Sequence, residues 1–399
     1  MREANTRGVI ILIMLLQFVF LTTTMMIMPL GPELAESIAM DPADIGYLNG
    51  FATLAAAIAG IMLAPILDRY DRRKLLLIAC LGKAITTLLC AVAWDTQSLI
   101  FILIISALFG GPAGAVMLSV IMDLIPPQQR GKAMAMVSSA FSLSAIIGIP
   151  TMLQLASWKN WTLPFLTTGV LGATLCLVAV SQLPKMTEHI NREKPKLDLK
   201  KLLSKPEIVM ALALVSCHML GHFMIVPNIA TFFVFNLDYP KDSLGLLYLV
   251  GGIASLITLQ LTGRILDKGF PMMLASTLTA IIIFSIIAGF IAPGLIPVML
   301  VFALFMAATS ARNSSTMAVV SKIPAPHERA GFMSFYTTVG NISAGLAGFV
   351  SAQILSVDTT NEIQGMPQLA GLAVILMSLH PVILFLLLRR EKSSVLQPG

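Results

Sequence analysis

Long apolar runs dominate the chain, and short polar stretches separate them. Each run is about 18–25 residues long, which is the length an α-helix needs to cross the hydrocarbon core of a bilayer. Helices satisfy their own backbone hydrogen bonds, and the two-residue alternation of a barrel strand is missing, so the runs predict helices. The sequence predicts twelve spans, at residues 8–31, 45–67, 75–94, 98–123, 131–156, 162–182, 207–235, 243–266, 271–292, 295–320, 330–356 and 366–388.

The same polar landmarks occur twice along the chain at an almost fixed spacing. Two charged pairs close apolar spans, two arginines follow proline-containing turns, and a short methionine-proline motif also recurs. Asp68-Arg69 recurs as Asp267-Lys268, and Arg130 recurs as Arg329, each 199 residues later. Residues 26–29 recur 198 residues later at 224–227. One spacing over three landmarks indicates a duplicated half, and such halves of membrane proteins usually enclose a central site.

One long polar stretch, residues 184–206, divides the twelve spans into two sets of six. We therefore expect an N-terminal six-helix bundle at 1–183, a cytoplasmic basic linker at 184–206 and a C-terminal six-helix bundle at 207–399. Six crossings return the chain to the same side of the membrane, so the two halves should run parallel. Part of the linker could form an amphipathic helix on anionic lipid headgroups.

Composition excludes a soluble protein. The chain is 57% hydrophobic and 12% charged, with a mean hydropathy of +0.87, whereas soluble domains carry about 25% charged residues. Of the 26 Lys and Arg residues, only Lys159 and Lys241 fall in the outer loops, Lys83 and Arg312 lie in the middle of spans, and the other 22 lie on the side of the termini. The positive-inside rule therefore predicts that both termini lie in the cytoplasm, and we expect the membrane to be a bacterial inner membrane. The net charge of +6 reflects this topology, and nucleic acid is not an expected partner.

The first span and the cysteines could each be mistaken for other features. Arg2 and Arg7 precede the first span as in a signal peptide, but its length and its repeat partner indicate that it is retained. The four cysteines all lie within spans and lack metal-ligand spacing, so we expect no disulfide, metal site or cofactor. They are Cys80, Cys90, Cys176 and Cys217.

The loop after the second span carries a family resemblance. Residues 64–74 read Ala-Pro-Ile-Leu-Asp-Arg-Tyr-Asp-Arg-Arg-Lys. This resembles the Gly-x-x-x-Asp-Arg-x-Gly-Arg-Arg/Lys signature of the major facilitator superfamily, with Ala64 and Asp71 in place of the glycines. The second copy, at 263–269, keeps the first glycine and loses the basic tail. The resemblance implies an all-α membrane protein with twelve transmembrane helices in two pseudo-symmetric six-helix bundles.

The resemblance also implies a gate at the cytoplasmic ends of the helices. Carboxylates and cations there can pair with one another and with helix dipoles, and such pairs can hold one conformation closed. The alternative is that the basic residues only anchor the topology. The gating residues that the resemblance implies are Asp68, Arg69, Arg72, Arg73, Asp123, Arg130, Asp267, Lys268 and Arg329.

The fifth span resembles the efflux branch of the superfamily, which includes drug:proton antiporters and arabinose-efflux-like proteins. It contains Gly148 and Pro150, and a Trp-rich turn follows, which indicates a helix hinge where backbones approach closely. Many drug antiporters have an arginine in the fourth span, four residues before a glycine, where this chain has Ser106. The first span has Gln17 where drug exporters often place an acid. The proton relay of those antiporters therefore does not carry over.

Ionisable residues in the middle of the spans are functional candidates because a charge at mid-bilayer costs several kcal/mol. All of them can be cationic, which favours an anionic or zwitterionic substrate; they are Lys83, His218, His222, Arg312 and His380. Arg312 is predicted to receive a carboxylate or phosphate, or else to be a structural arginine bound to helix carbonyls. Lys83 is interpreted as a snorkelling or interhelical residue, and His380 as peripheral.

His218 and His222 lie four residues apart and should share one helix face. His222 is a possible proton carrier because imidazole titrates near neutral pH; a neutral imidazole bound to a neighbouring helix is the alternative. The two histidines could also bind a metal ion together, but the sequence shows no third ligand. Glu33 could take up protons at the outer mouth or be an exposed loop acid. Gln17, Asn228 and Asn313 complete the predicted substrate-binding set with the arginine and the two histidines.

Together these features predict a monomeric secondary transporter that moves a small organic solute by alternating access. Proton-coupled export by exchange is the favoured interpretation, and proton-coupled or facilitated uptake is the alternative. A membrane sensor that binds a ligand without moving it is a third hypothesis. An enzyme is not expected, because the spans carry no nucleophile–base or metal constellation apart from the histidines.

Overall fold

A computed structural model describes residues 6–67, 69–187, 202–325, 328–359 and 361–395, and they are mostly helical. The chain divides into two compact units. Unit 1 contains Met1–Lys194 and Pro240–Leu249, and unit 2 contains Pro195–Tyr239 and Val250–Gly399. Residues 240–249 thus belong to unit 1, although the chain on both sides of them belongs to unit 2.

Eight helices form the main part of unit 1. They are α1 (Thr6–Met25), α2 (Gly31–Ser37), α3 (Ile45–Leu67), α4 (Arg72–Cys90), α5 (Thr96–Leu124), α6 (Pro127–Leu143), α7 (Ile149–Trp158) and α8 (Thr162–Gln182). A π-turn at Ser144–Gly148 joins α6 to α7. The start of α5 follows local capping chemistry: the Asp95 carboxylate accepts a hydrogen bond from Ser98 N at 2.8 Å, and the Ser98 side chain caps in return. The core packs α1, α4, α5, α6 and α8 together through Leu, Ile, Val, Met and Ala side chains.

Unit 2 repeats this helix order. Its helices are α9 (Pro206–Ile225), α10 (Ile229–Asn236), α11 (Leu244–Asp267), α12 (Pro271–Ile286), α13 (Val298–Val320), α14 (Arg329–Ile354) and α15 (Met366–Val395), of which the start of α11 belongs to unit 1. A 3-10 turn at Val226–Asn228 joins α9 to α10, and a π-turn at Ile287–Ile291 ends α12. Helix α9 packs against both α14 and α15, and α12 packs against both α13 and α15.

A short hairpin connects α14 to α15. Strands β1 (Ser356–Val357) and β2 (Ile363–Gln364) pair antiparallel. The Asn236 amide at the end of α10 donates to Ile363 O and accepts from Ile363 N, each at 3.0 Å. The hairpin is therefore fixed to the helix pair α9–α10.

The twelve predicted spans fall on helices; span 131–156 contains the π-turn Ser144–Gly148, and two other spans are interrupted near a proline. The predicted span 8–31 ends as a helix at Met25, and span 207–235 contains the turn Val226–Asn228. Pro29 and Pro227 lie at these interruptions, where a proline cannot donate the backbone hydrogen bond of a continuing helix. The division at 1–183, 184–206 and 207–399 stays a prediction, and residues 188–201 of its linker lie outside the described chain.

Nine of the helices in the described ranges are long and apolar enough to cross a membrane. The predicted spans 75–94, 295–320 and 330–356 coincide with α4, α13 and α14, which are not among these nine. Lys83 lies in α4 and Arg312 in α13, whereas α14 is rich in Gly, Ser and Thr.

Candidate functional site

Arg312 is the most deeply buried charged side chain of unit 2, with no exposed surface. It lies in the middle of α13 and reaches three neighbouring helices. Its Nη2 lies 2.9 Å from Nδ1 of His218 on α9. Its Nη1 lies 3.4 Å from the Thr279 hydroxyl on α12 and 3.4 Å from the Met377 carbonyl on α15. The guanidinium thus joins four helices inside one bundle.

The charge of Arg312 has no carboxylate partner within the described chain. A cation at this depth costs several kcal/mol, and only uncharged groups contact it. Its Nε–H is buried and has no hydrogen-bond acceptor in the structure. A buried guanidinium with one free donor suits an incoming oxyanion.

His380 belongs to the same group of buried side chains as Arg312, so its interpretation as a peripheral residue was wrong. It is completely buried, and its Nε2 lies 2.8 Å from the Thr316 hydroxyl. The hydroxyls of Ser315 and Thr316 donate hydrogen bonds to the Arg312 carbonyl oxygen, at 3.0 and 2.7 Å respectively. His380 and Thr316 therefore brace the backbone that carries the arginine.

The two predicted histidines of α9 lie side by side, as their spacing implies. Their rings stack at 5.7 Å with 14° between their planes. His218 is 5% exposed and contacts Arg312, whereas the His222 ring stacks on Phe305 at 5.7 Å. Nδ1 of His222 is buried, and no described residue forms a hydrogen bond with it. We name Arg312, His218, His222, Thr316 and His380 the cation cluster.

The remaining predicted substrate residues lie outside this cluster. Asn228 is completely buried; its amide donates to Met224 O at 2.9 Å, and its Oδ1 has no partner. Asn313 and Gln17 are half-buried, on α13 and α1. Their roles in binding stay predictions.

Within unit 1, Lys83 on α4 is buried beside α5. Its Nζ lies 3.7 Å from the position that a Cβ would take on Gly110. The glycine therefore leaves the space through which the lysine side chain passes between the two helices.

Part of the predicted gate forms contacts in unit 1. Arg72 is paired with Asp123, and its Nη1 also donates to Ser119 O at 3.3 Å. Arg73 donates to Val180 O at 2.5 Å, and Arg130 Nε donates to Ile125 O at 2.9 Å. The bonds of Arg72 and Arg73 tie the start of α4 to α5 and α8, and the Arg130 bond ties α6 to the residue that follows α5.

The other gate residues show no such arrangement. Arg69, Lys268 and Arg329 are exposed. Asp68 lies outside the described residues, and so does the side chain of Asp267. A gating role for the whole set therefore stays a prediction.

Asp71, which replaces a signature glycine, has a role that the sequence did not reveal. Its carboxylate accepts from Arg73 N, as the N-cap of α4, and from Met186 N, each at 3.0 Å. The Arg72 amide returns a bond to Met186 O at 3.3 Å. The acid thus fixes the segment that follows α8 onto the start of α4.

The predicted proton site Glu33 lies in a small charged cluster on α2. Lys241 Nζ lies 2.5 Å from Glu36 Oε2 and 4.0 Å from Glu33 Oε1. Burial raises the pKa of the Glu33 carboxyl above its ordinary value, and Glu36 and Asp242 raise it further, while Lys241 opposes the rise. Proton binding at Glu33 stays a prediction.

The predicted hinge residues of the fifth span flank the end of the π-turn. Gly148 ends the turn and packs against Thr22 of α1, and Pro150 stands at the start of α7. The Ser144 hydroxyl donates to Phe18 O at 3.0 Å. The absence of a side chain at Gly148 lets α1 approach this irregular backbone closely.

These features define a polytopic helical membrane protein with a buried cation cluster. Within the described ranges, no group of three or more His, Cys, Asp or Glu residues could hold a metal ion. The sequence profile of the Major Facilitator Superfamily matches residues 13–348 and 213–399. The chain therefore belongs to this family of membrane transporters, which are not enzymes, and the resemblance read from residues 64–74 is confirmed.

Similar proteins agree with this assignment. An uncharacterized MFS-type transporter, YwfA of Bacillus subtilis, is 24% identical over 252 residues, 61% of this chain and 60% of that protein. A probable sugar efflux transporter of Helicobacter acinonychis is 23% identical over 252 residues, 63% of this chain and 64% of that protein. The matches thus span less than two thirds of either relative.

Solved structures share the fold along nearly the whole chain. A bacterial homologue of the human lysosomal transporter Spinster, in an inward-facing and unoccupied conformation, matches with a TM-score of 0.77 at 16% identity. The match covers 96% of this chain and 97% of that one. The predicted fold class, a helical membrane protein with the major facilitator fold, is confirmed.

Proposed function

We propose that this transporter exports a small organic anion or zwitterion across the bacterial inner membrane by alternating access, with its movement coupled to protons. The observation that carries the proposal is the completely buried Arg312, which has no contacting carboxylate in the described chain and a free Nε–H. A solute carboxylate or phosphate would supply the missing negative charge and the missing acceptor.

Two further observations support the direction and the setting. The relative from Helicobacter acinonychis is named as an efflux transporter, and the hinge at Gly148 and Pro150 resembles that of the efflux branch. The distribution of Lys and Arg favours cytoplasmic termini in an inner membrane. A monomer is the proposed state.

The substrate can be found by a stabilisation screen of the purified protein. Organic acids, amino acids, sugars, nucleosides and amphipathic drugs would each be tested for a rise in unfolding temperature, since a ligand that binds only the folded state stabilises it. The proposal predicts that the compounds that stabilise the protein are anions or zwitterions. Stabilisation by uncharged sugars or by cations alone would contradict it.

Transport of the selected anion then tests the arginine. Arg312→Ala should abolish transport in proteoliposomes while the protein still folds and inserts. Lys322→Gln is the matched control, because it removes an exposed cation just after the same helix and should leave transport unchanged. Wild-type transport by Arg312→Ala would refute the proposed binding role.

Direction is tested separately. Proteoliposomes that hold the protein in known orientation are loaded with the anion, and a pH gradient is imposed. The direction of net anion movement is then measured relative to the cytoplasmic face of the protein. Under an inward proton gradient, net movement away from the cytoplasmic side would indicate proton exchange that drives export, whereas net movement toward the cytoplasmic side would show that the proton and the anion move together.

A further inference from the structure

The hydrogen bond between Arg312 and His218 fixes the protonation of the histidine. Nη2 of Arg312 lies 2.9 Å from Nδ1 of His218. A guanidinium has only donors, so Nδ1 must accept with its lone pair. His218 is therefore neutral in this structure, and its single ring proton is assigned to Nε2.

Only one partner can use that lone pair. If a proton bound Nδ1, its N–H would point at an N–H of Arg312, and two positive charges would meet in a buried site. Within the described chain no carboxylate contacts Arg312 to compensate for them. A proton on Nδ1 and the Arg312 bond therefore exclude each other.

We infer that Nδ1 of His218 is the atom that binds the coupling proton, and that protonation there releases the Arg312 guanidinium for a solute anion. This inference rests on the proposed function. One N–H bond forms with a proton taken from water on one side of the membrane. The same bond breaks when the proton returns to water on the other side, and no electrons are transferred.

The groups around His218 leave it as the best-placed proton site. Its own helix contributes His222 and Cys217, and α13 contributes Arg312. Helix α15 contributes His380, whose ring lies edge-on at 6.5 Å. On α12, the described side chain that contacts Arg312 is the uncharged Thr279. On α14, the described ionisable side chains are Arg329, which is exposed at the start of the helix, and Tyr336, which packs in the core with Leu214 and Val215.

The two other histidines of the cluster have different partners. The His222 ring lies flat against Phe305, and no hydrogen bond joins it to Arg312 in the structure. His380 binds Thr316, whose hydroxyl also donates to the Arg312 carbonyl. Since that hydroxyl has one hydrogen, His380 Nε2 must be the donor in its bond. His380 is thus a positioning residue, and His218 alone shares a lone pair with the guanidinium.

The test compares His218→Gln with His222→Gln in purified protein without any added solute. A glutamine carbonyl can accept from Arg312 but cannot bind a proton. In the wild type, acid should destabilise the fold, because the unfolded chain has a free imidazole that protonates near pH 6.5 and the folded chain must first break the Arg312 bond. Each pH unit below this value should shift the unfolding equilibrium about tenfold toward the unfolded chain.

The variants decide between the histidines. His218→Gln should lose the tenfold change per pH unit that the imidazole of His218 contributes, whereas His222→Gln should keep that contribution; the completely buried His380 adds its own share in both variants. An unchanged pH profile in His218→Gln, or a loss of sensitivity in His222→Gln instead, would overturn the inference. If His218→Gln does not fold, ¹⁵N spectra of histidine-labelled wild-type protein give a second measurement. They should show His218 protonated on Nε2 alone at pH 8, a value chosen to lie about 1.5 units above the free imidazole; a proton on Nδ1 would overturn the inference.

The two proposals fail separately. Neither measurement needs a solute, so a protein that transports no anion would refute the proposed function, while the acid profile would still report separately whether His218 binds a proton. Arg312-dependent transport of an anion together with a pH profile that His218→Gln does not alter would refute the proton site alone.

Discussion

One methyl group added to Gly148 should destabilise unit 1 through a clash with a single neighbour. A Cβ built at this position would lie too close to the Thr22 hydroxyl and 3.0 Å from Thr22 Cγ2. Overpacking of this kind costs about 1–3 kcal/mol. Because 1 kcal/mol shifts the unfolding temperature of a unit of this size by about 2–4 °C, Gly148→Ala should lower it by about 2–12 °C.

Thermal unfolding of the detergent-purified protein, followed by tryptophan fluorescence, measures this shift. Thr22→Ala should cost little alone, since the hydroxyl has no hydrogen-bond partner in the structure, and it should restore stability in combination with Gly148→Ala. The control is Gly60→Ala on α3, where a Cβ would meet nothing within 4 Å; it should be neutral or stabilising. A fully stable Gly148→Ala, or a double variant no more stable than Gly148→Ala, would refute the reasoning.

Two further predictions concern the charged groups of unit 1. Asp123→Asn should lower stability by about 1–3 kcal/mol, between the values for exposed and buried pairs, because the Arg72 side chain is 10% exposed and the Asp123 side chain 27%; a double-mutant cycle with Arg72→Ala that shows no coupling energy would contradict this. Glu33→Gln should be more stable than the wild type at neutral pH, and the gap should close on acidification. The raised pKa of Glu33 means that the folded state holds the carboxyl proton more tightly than the unfolded chain does. Proton binding at Glu33 therefore stabilises the fold at low pH, and this stabilisation is lost as the pH rises through the raised pKa. A gap that is the same in thermal unfolding at neutral and acidic pH would show that this carboxyl is not responsible.

The helices and the family could be predicted because their signals do not depend on how each helix is rotated. A run of apolar residues long enough to span a bilayer predicts a helix from its length alone. The landmarks at Asp68 and Asp267 indicate the duplication from spacing alone, and the structure repeats the order of helices at a nearly constant offset, with α9 beginning 200 residues after α1 and α12 beginning 199 residues after α4.

The cation cluster could be predicted only in part, because a helix that is apolar all round does not reveal which side faces the protein. The spacing of His218 and His222 predicted their shared face, and the charge of Arg312 made it a functional candidate. Nothing in the apolar sequence around His380 shows that it faces α13 rather than lipid. The roles of Thr279 and Thr316 depend on the same rotation.

The proposed proton site at His218 also predicts the sign of the proposed proton coupling. A proton on His218 adds positive charge beside Arg312 and frees its donors, so a proton and an anion should bind more tightly together than apart. An exporter built on this pair would move the two in the same direction as a neutral acid, driven by the solute gradient. Exchange, which the sequence-based interpretation favours, requires that they compete. Stabilisation by the anion selected in the screen distinguishes the two: it should be stronger at pH 6 than at pH 8, values that bracket the ordinary titration of histidine at about pH 6.5, in the wild type but not in His218→Gln, whereas stronger stabilisation at pH 8 would show competition and refute cotransport.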